Sequence, residues 1–418
     1  MTIERPGTLP SDDPWDRRLA RRATGLLRRA NQAGVLDASD VHVAARLGEV
    51  TGEDSEAVLL AAALAVRAVR QGSVCVDLVA VDLDGGDGLD GGDGQGGAVA
   101  GGDVEDGGVD GGGAREWPER ETWTDLVASS VLASAGAVRV DAGVLYLERY
   151  WREEVQVDDD LRRRREQRLP LAAPERLAQA LDAHFPVPTA GVAEGTDDGV
   201  ADGSGDSEQA GPPDYAEQRA AADLAARHGT SVLTGGPGTG KTTTVARLLG
   251  TLLDVDSATR VAGAHHAPLV ALAAPTGKAA ARMTEALRDA VARPDFPATH
   301  REALEGLSAT TLHRLLGWRP GSHTRFRHHR GNPLPHDVVV VDETSMVSLT
   351  LMARLLEALR PQARLVLVGD ADQLASVDAG AVLHDLVEGL EGLEGLEGGG
   401  TGSVARLRRA HRYGDTIG

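Results

Sequence analysis

A chain of 418 residues that is 41% hydrophobic and 25% charged has room for two or three packed domains. It holds no run near the ~20 apolar residues of a membrane span, its first residues lack the apolar core of a secretory signal, and one cysteine, Cys75, cannot form an internal disulfide; a cytoplasmic protein with no membrane partner is expected. The net charge of −20 argues against nucleic-acid binding only until it is located: residues 82–114, 192–217 and 388–400 hold nine, eight and four acids and no bases, which leaves the rest of the chain at about +1.

Residues 1–80 predict short amphipathic helices. Their richest stretch, Ser55 to Val66, is a strong helix former and apolar enough to be largely buried. Gly72 ends it, and Val74 to Leu78 reads as a short strand. Residues 83–114 are almost wholly Gly, Asp and small apolar residues, which cannot bury enough surface to offset their ordering entropy, so disorder is expected. Residues 138–140 and 144–147 flank Asp141-Ala142-Gly143 as a hairpin. Residues 148–181 read as helix, broken near Leu169-Pro170 and again at Pro174. Within it the run Arg162 to Arg165 reads as a solvated helix face, with contact to DNA or an acidic partner as the alternative. Residues 191–213 form an acidic linker.

From Tyr215 the pattern alternates. Strands are predicted at 231–234, 268–273, 337–341 and 364–368, and helices at 215–228, 240–253, 278–292, 310–316 and 348–360. That alternation specifies an α/β, RecA-like parallel-sheet domain over 214–387, preceded by a mostly helical N-terminal domain over 1–81 and 115–190. The sequence GLEGLEGLEGGG at 389–400 reads as a low-complexity loop, because its repeated glycines oppose a helix.

Three segments carry chemistry. Gly235-Gly236-Pro237-Gly238-Thr239-Gly240-Lys241-Thr242 fits the phosphate-loop pattern G-x-x-x-x-G-K-[ST] at every fixed position, with an apolar strand before it and a helical pattern after it. Its glycines let successive N–H groups converge on one anion, and the helix start adds partial positive charge. Lys241 is placed to reach the β- and γ-phosphates of a bound nucleotide, and the Thr242 hydroxyl to sit on Mg²⁺. Val338 to Val341 then form a buried strand with Asp342 and Glu343 at its end. Asp342 would join Thr242 as a metal ligand, and Glu343 would orient or deprotonate the attacking water. The strand at 364–368 leads to Gln373, which can report the γ-phosphate or that water. Thr276, after the second strand, could hold a nucleic-acid phosphate with the amides of the following helix start, or could simply cap that helix. His265-His266 and His328-His329 lack metal-ligand spacing and read as loop residues. Trp318 and Phe326 are the aromatic candidates for stacking on bases.

These blocks, in this order, resemble the RecD family of superfamily 1 DNA helicases, the alpha-type subunits of exodeoxyribonuclease V. The similar segments include GGPGTGKTTT, APTGKAAARM, TTLHRLLGW, NPLPHDVVVVDETSMV and GDADQLASVDAGAVL, together with GSVCVDL at 72–78 and GVLYLERYWREE at 143–154. The resemblance implies ATP with Mg²⁺ as cofactors, and an ATP-hydrolysing 5′–3′ helicase subunit acting on single-stranded DNA from duplex ends. RecB-like and RecC-like subunits would be its partners, the N-terminal domain docking on the latter. It implies that Gln218 reads adenine and that Gly235 to Thr243 form motif I. Thr276, Gly277 and Lys278 would grip DNA. On the residues alone, His313 in the TTLHRLL block is a candidate to couple nucleotide to DNA, or else a packed helix-surface histidine. Asp342 and Glu343 would be motif II, Gln373 motif III and Arg412 the motif IV arginine that meets the γ-phosphate. A second motor domain beginning near 401 would be expected to continue past Gly418, so the chain reads as truncated. The alternatives left open are a nucleotide-binding structural or switch subunit without unwinding activity, and a stand-alone RecD-like helicase.

Overall fold

A computed structural model describes residues 18–81, 83, 117–166, 173–186, 215–259, 268–319, 325–373, 382–397 and 403–408. They fall into two compact units, the first ending at Val155 and the second starting at Gln156. The expected acidic linker, most of the Gly/Asp insert and Arg412 lie outside the described residues.

The first unit packs α1 (Gly25–Gln32), α2 (Ala38–Thr51), α3 (Glu56–Arg70), α4 (Arg120–Ala128) and α5 (Val131–Ser134) around a small antiparallel sheet. Its strands are β1 (Cys75–Val76), β2 (Val138–Asp141) and β3 (Val144–Leu147), in the order β1-β3-β2. The alanines of α3 from Ala61 to Ala68 are buried, which lets neighbouring helices approach closely. Trp123 is fully enclosed and donates its ring N–H to the Ala57 carbonyl at 2.9 Å. The hairpin turn has positive φ at Ala142 (48°) and Gly143 (85°), the pair of left-handed residues that a two-residue turn requires. Leu83, at the edge of the insert expected to be disordered, belongs to this core.

α6 (Glu148–Glu166) passes from the first unit into the second, and α7 (Pro174–His184) and α8 (Ala216–Arg227) follow. Residues from Gln156 onward therefore group with the second unit, not with an N-terminal domain reaching 190. Pro174 starts α7 at its first turn, where its missing N–H is no loss.

The second unit is built on six strands, β4 (Thr230–Gly235), β5 (Val270–Ala274), β6 (Ala309–Thr311), β7 (Val338–Val341), β8 (Arg364–Gly369) and β9 (Val404–Leu407). Between them run α9 (Lys241–Thr259), α10 (Gly277–Ala292), α11 (Arg301–Glu305), α12 (Leu312–Leu316), α13 (Leu349–Ala358) and α14 (Val382–Glu397). The strand order is β6-β5-β7-β8-β4-β9 and every ladder is parallel. The four valines of β7 are at most 4% exposed, as a strand covered on both faces demands. β9 pairs Leu233 with Ala405 and Thr234 with Arg406. Residues 404–407 thus extend this sheet and do not open a second motor domain.

Two further expectations are overturned. α14 is helical through Glu397, so residues 389–397 are not a loop. Glycine lowers helix stability by about 1 kcal/mol without forbidding a helix, and the Leu and Glu between the glycines are good helix formers. Arg164 is not on a solvated face: it is 7% exposed. Its Nε donates to Thr230 Oγ1 at 2.9 Å, and its Nη2 to the carbonyls of Gly229 at 3.0 Å and Ala363 at 2.5 Å. Burial pushes its pKa down to about 10, so it remains charged at neutral pH while tying the starts of β4 and β8 together.

Candidate active site

Parallel ladders bring the ends of β4, β5, β7 and β8 to one rim of the sheet, where an open α/β sheet takes its ligands. The segments leaving those strand ends carry the functional side chains. After β4 the chain turns through Gly236 to Gly240, and α9 begins at Lys241. Gly238 (φ 78°) and Gly240 (φ 83°) hold left-handed conformations that a side chain would strain. The first amides of α9 have no partner within the helix and project toward that turn. Lys241 Nζ donates to the carbonyls of Gly235 (2.5 Å) and Gly236 (2.9 Å), and Thr239 Oγ1 donates to Gly236 O at 2.9 Å.

After β7 come Asp342 and Glu343. Burial pushes the Asp342 carboxyl above the usual aspartate range. The Glu343 backbone N–H, donating at 2.9 Å, and the Lys241 charge pull it back, while the Glu343 charge pushes it up. Glu343 itself has φ 52° and ψ 41°, a left-handed backbone for a residue with a long side chain. Such strain costs about 1–3 kcal/mol and persists only where the surroundings impose it. Here the Thr344 hydroxyl donates to Val341 O at 3.0 Å and fixes the turn that carries the carboxylate.

These groups line one cavity of about 690 Å³. Gly238 to Thr243, Asp342 and Glu343 form part of its wall, and Tyr215, Gln218, Ala286, Asp289, Ala290 and Arg293 form the remainder. Gln218 is 2% exposed on the first turn of α8. The structure thus brings Gln218, Lys241, Thr242, Thr243, Asp342 and Glu343 together. Thr242 and Asp342, which share this wall, offer a hydroxyl and a carboxylate, hard oxygen donors of the kind Mg²⁺ takes, and a half-buried carboxylate with a raised pKa is one that a cation would relieve.

The other candidates stand outside that wall. Gly235 ends β4, and Gly236 and Pro237 continue the turn, without lining the cavity. Gln373 is exposed beyond β8, its backbone N–H donating to Asp370 O at 3.3 Å. Thr276, Gly277 and Lys278 are exposed at the start of α10, with Thr276 Oγ1 accepting from the Ala279 N–H at 3.2 Å. The capping reading of Thr276 is therefore realised, and it leaves the residue accessible. His313 is exposed on α12 with its ring 5.8 Å from Phe326, and Trp318, 46% exposed, bridges to Phe326. No cluster of three or more metal-ligating side chains occurs among the described residues, nor does a helix long and apolar enough to cross a membrane.

Sequence reasoning missed Tyr215, Asp289 and Arg293. Tyr215 stands one helical turn before Gln218, so the face that carries Gln218 also carries it. Ala286, Asp289, Ala290 and Arg293 follow the i, i+3, i+4, i+7 spacing of one helix face, a pattern visible in the sequence that does not say what the face meets.

Residues 32–139 match the family model described as RecBCD enzyme subunit RecD, N-terminal domain, and residues 218–379 match one described as AAA domain. The chain is similar to RecBCD enzyme subunit RecD of Mycobacterium tuberculosis, at 48% identity over 402 residues, 96% of this chain and 58% of that protein. It is 47% identical over 389 residues to the RecBCD enzyme subunit RecD of Mycolicibacterium smegmatis, covering 92% of this chain and 57% of the relative. It is 40% identical over 195 residues to the ATP-dependent RecD2 DNA helicase of Deinococcus radiodurans, covering 45% and 22%. The chain thus spans a little over half the length of the mycobacterial relatives it matches.

Proposed function

We propose that this chain, which belongs to the RecD family, binds ATP with Mg²⁺ in the cavity at the strand-end rim and hydrolyses it as the 5′–3′ motor subunit of a RecBCD-like DNA-unwinding complex. The observation that carries this reading is one cavity walled jointly by the phosphate-loop residues, Asp342, Glu343 and Gln218. Direct binding to single-stranded DNA and assembly with RecB-like and RecC-like subunits rest on the family relation, the former also on the exposure of Thr276, Gly277, Lys278 and His313.

In this mechanism the turn amides and the start of α9 receive the phosphates. Lys241, held by the Gly235 and Gly236 carbonyls without ligand, exchanges those neutral acceptors for phosphate oxygens, a stronger charge-assisted partnership. Thr242 and Asp342 would hold Mg²⁺, which when bound neutralises phosphate charge. Glu343, fixed by its left-handed backbone, orients the attacking water and accepts its proton. Gln218 faces the nucleoside from α8, and Gln373 and Arg412 are proposed to respond to the γ-phosphate. The first unit is proposed to dock on the RecC-like partner. Its two segments that resemble a docking domain meet in one sheet, where Cys75 pairs with Tyr146 and Val76 with Leu145.

ATP turnover by the chain assembled with its partner subunits, with and without single-stranded DNA, tests the proposal. DNA-stimulated hydrolysis that is lost in Glu343→Gln is the expected result. Tight ATP binding with no DNA-stimulated turnover would instead assign a nucleotide switch.

A further inference from the structure

One buried hydroxyl beside the site has no partner. Ser345 stands two residues after Glu343, in the short 3-10 turn Thr344–Met346, and is 7% exposed. Its Oγ is closed off from solvent and meets no donor or acceptor among the described residues. The side chain is not part of the cavity wall. Its neighbour Thr344 is satisfied, the hydroxyl donating to Val341 O at 3.0 Å. An unpaired buried hydroxyl is unfavourable, so alanine would serve better at Ser345 if this were the turn's only arrangement.

Beside the turn lies a seat for it. A Cβ built on Gly369, the last residue of β8, would stand 3.3 Å from the backbone nitrogens of both Thr344 and Ser345, and 2.6 Å from Leu383 Cδ2. With no side chain at Gly369, the turn rests directly on the strand's backbone. The chain leaving β8 is itself held. Ala371 donates its N–H to the buried Thr234 hydroxyl at 3.1 Å, one residue ahead of the phosphate turn, and its carbonyl accepts from His384 Nδ1 at 3.3 Å. Thr234 and Gly369 are partners in the β4–β8 ladder. The seat is therefore fixed to β4 and α14, and the turn above it carries both defects, a strained Glu343 backbone and an unpaired Ser345.

We infer that Ser345 is a positioning residue for Glu343. With a triphosphate bound, the turn takes a second seating on Gly369 in which the Ser345 hydroxyl donates to the chain leaving β8, and that seating holds the Glu343 carboxylate on the attacking water. The γ-phosphate is the trigger, because the water that Glu343 serves attacks there; a diphosphate leaves the turn as it stands. A ligand shifts such an equilibrium only by binding one arrangement better than the other, and the unpaired hydroxyl supplies that difference. This role rests on the reading that the cavity takes a nucleoside triphosphate. It adds a residue outside the cavity whose hydroxyl burdens the nucleotide-free chain and stabilises the loaded one.

Melting curves of the full chain test it, together with calorimetric titration by a non-hydrolysable ATP analogue and by ADP, each with Mg²⁺, and ATP turnover of the chain assembled with its partner subunits. Ser345→Ala deletes an unpaired buried hydroxyl, so it raises the nucleotide-free melting temperature by about 2–4 °C. The same variant binds the triphosphate analogue about tenfold more weakly, binds ADP as the parent does, and lowers turnover about tenfold, the scale of one hydrogen bond. A nucleotide-free melting temperature that is unchanged or lower overturns the inference, because the hydroxyl would then already be bonded. An unchanged ratio of analogue to ADP affinity overturns it too, whether both fall together, as a merely structural role gives, or neither moves. Should Ser345→Ala fail to melt cooperatively, Gly369→Ala decides. Its Cβ keeps the turn off the seat, so analogue affinity falls and ADP affinity does not; an equal effect on the two overturns the inference. A wild-type chain that binds neither analogue nor ADP overturns the nucleotide reading, and one that binds both while the Ser345 variant behaves as the parent overturns this inference alone.

Discussion

The two rims of the second unit's sheet both carry buried or half-buried charge, and they satisfy it in opposite ways. At the strand-start rim, Arg164 donates to Thr230, Gly229 and Ala363, and Arg364 donates to His228 O at 3.1 Å. Asp337 there accepts from Arg360 at 2.8 Å and from the Leu269 N–H at 2.8 Å. Every one of these charges is committed to backbone or to a partner. At the strand-end rim, Asp342 is half-buried with a raised pKa, Glu343 sits in a strained backbone, and Lys241 rests on loop carbonyls. One rim spends its charge on holding strands together. The other stores unfavourable arrangements that a ligand would relieve, and such storage is the physical signature of a site.

The comparison breaks most visibly at Lys241. Lys241→Ala is expected to lower nucleotide turnover by about 10²–10³-fold, the scale of removing one positioned donor from a developing negative charge. Its melting temperature should stay near that of the parent chain, because the lysine's present acceptors are turn carbonyls that water can satisfy. Arg164→Ala should do the reverse. Losing the buried guanidinium strands several carbonyls at once, at an expected loss of about 3 kcal/mol in a denaturant titration. Nucleotide binding at the folded end of that titration should be unaltered. If the arginine variant lost nucleotide affinity at full stability, the division of labour between the rims would be wrong.

Arg164 also shows where reading a sequence stops. Arg162, Arg163 and Arg165 are exposed, and only Arg164 turns inward, on the face shared with Val157 and Asp160. Four identical residues in a row contain no clue to which one is buried; only the packing of α6 against the sheet decides it. The phosphate turn and the Asp342-Glu343 pair were legible because each is a local device, encoded in consecutive residues with a strand before it. The four inner strands were legible from their apolar runs. β6 and β9 were not, since Ala309–Thr311 and Val404–Leu407 are short, half-buried edge strands with little hydrophobic signature. The wall of Tyr215, Asp289 and Arg293 is assembled by two segments meeting in space, the start of α8 and the end of α10, so no single window of sequence contains it.

A subtler probe of the strand-end rim is pH. The Asp342 carboxyl has its folded pKa above the ordinary aspartate value, so the folded chain holds that proton more tightly than the unfolded chain does. Its contribution to stability is present in acid and is lost as pH rises from the ordinary value through the raised one. Asp342→Asn keeps an acceptor for the Glu343 N–H and removes the titration. The nucleotide-free variant should therefore melt higher than the parent at neutral pH, by roughly 2–4 °C per kcal/mol relieved, and the gap should close as the pH is lowered. A gap that widens toward acid would mean the carboxylate is stabilising in the folded state, and would undo the picture of a rim that waits for a cation.

The smallest effect separates glycines that the site requires from glycines that it does not. Gly240 has φ 83°, so Gly240→Ala strains the turn and should destabilise the chain by about 1 kcal/mol or more. Gly389, in α14, has helical backbone, and a Cβ built on it meets nothing within 4 Å. Gly389→Ala should therefore stabilise by about 0.5–1 kcal/mol through the unfolded chain's lost freedom. Opposite signs in paired denaturant titrations would show that the glycine repeat is only a weak helix and that the phosphate turn is a conformational necessity. Equal signs would mean that α14 does not hold its helix in solution, and that the repeat behaves as the loop its composition suggests.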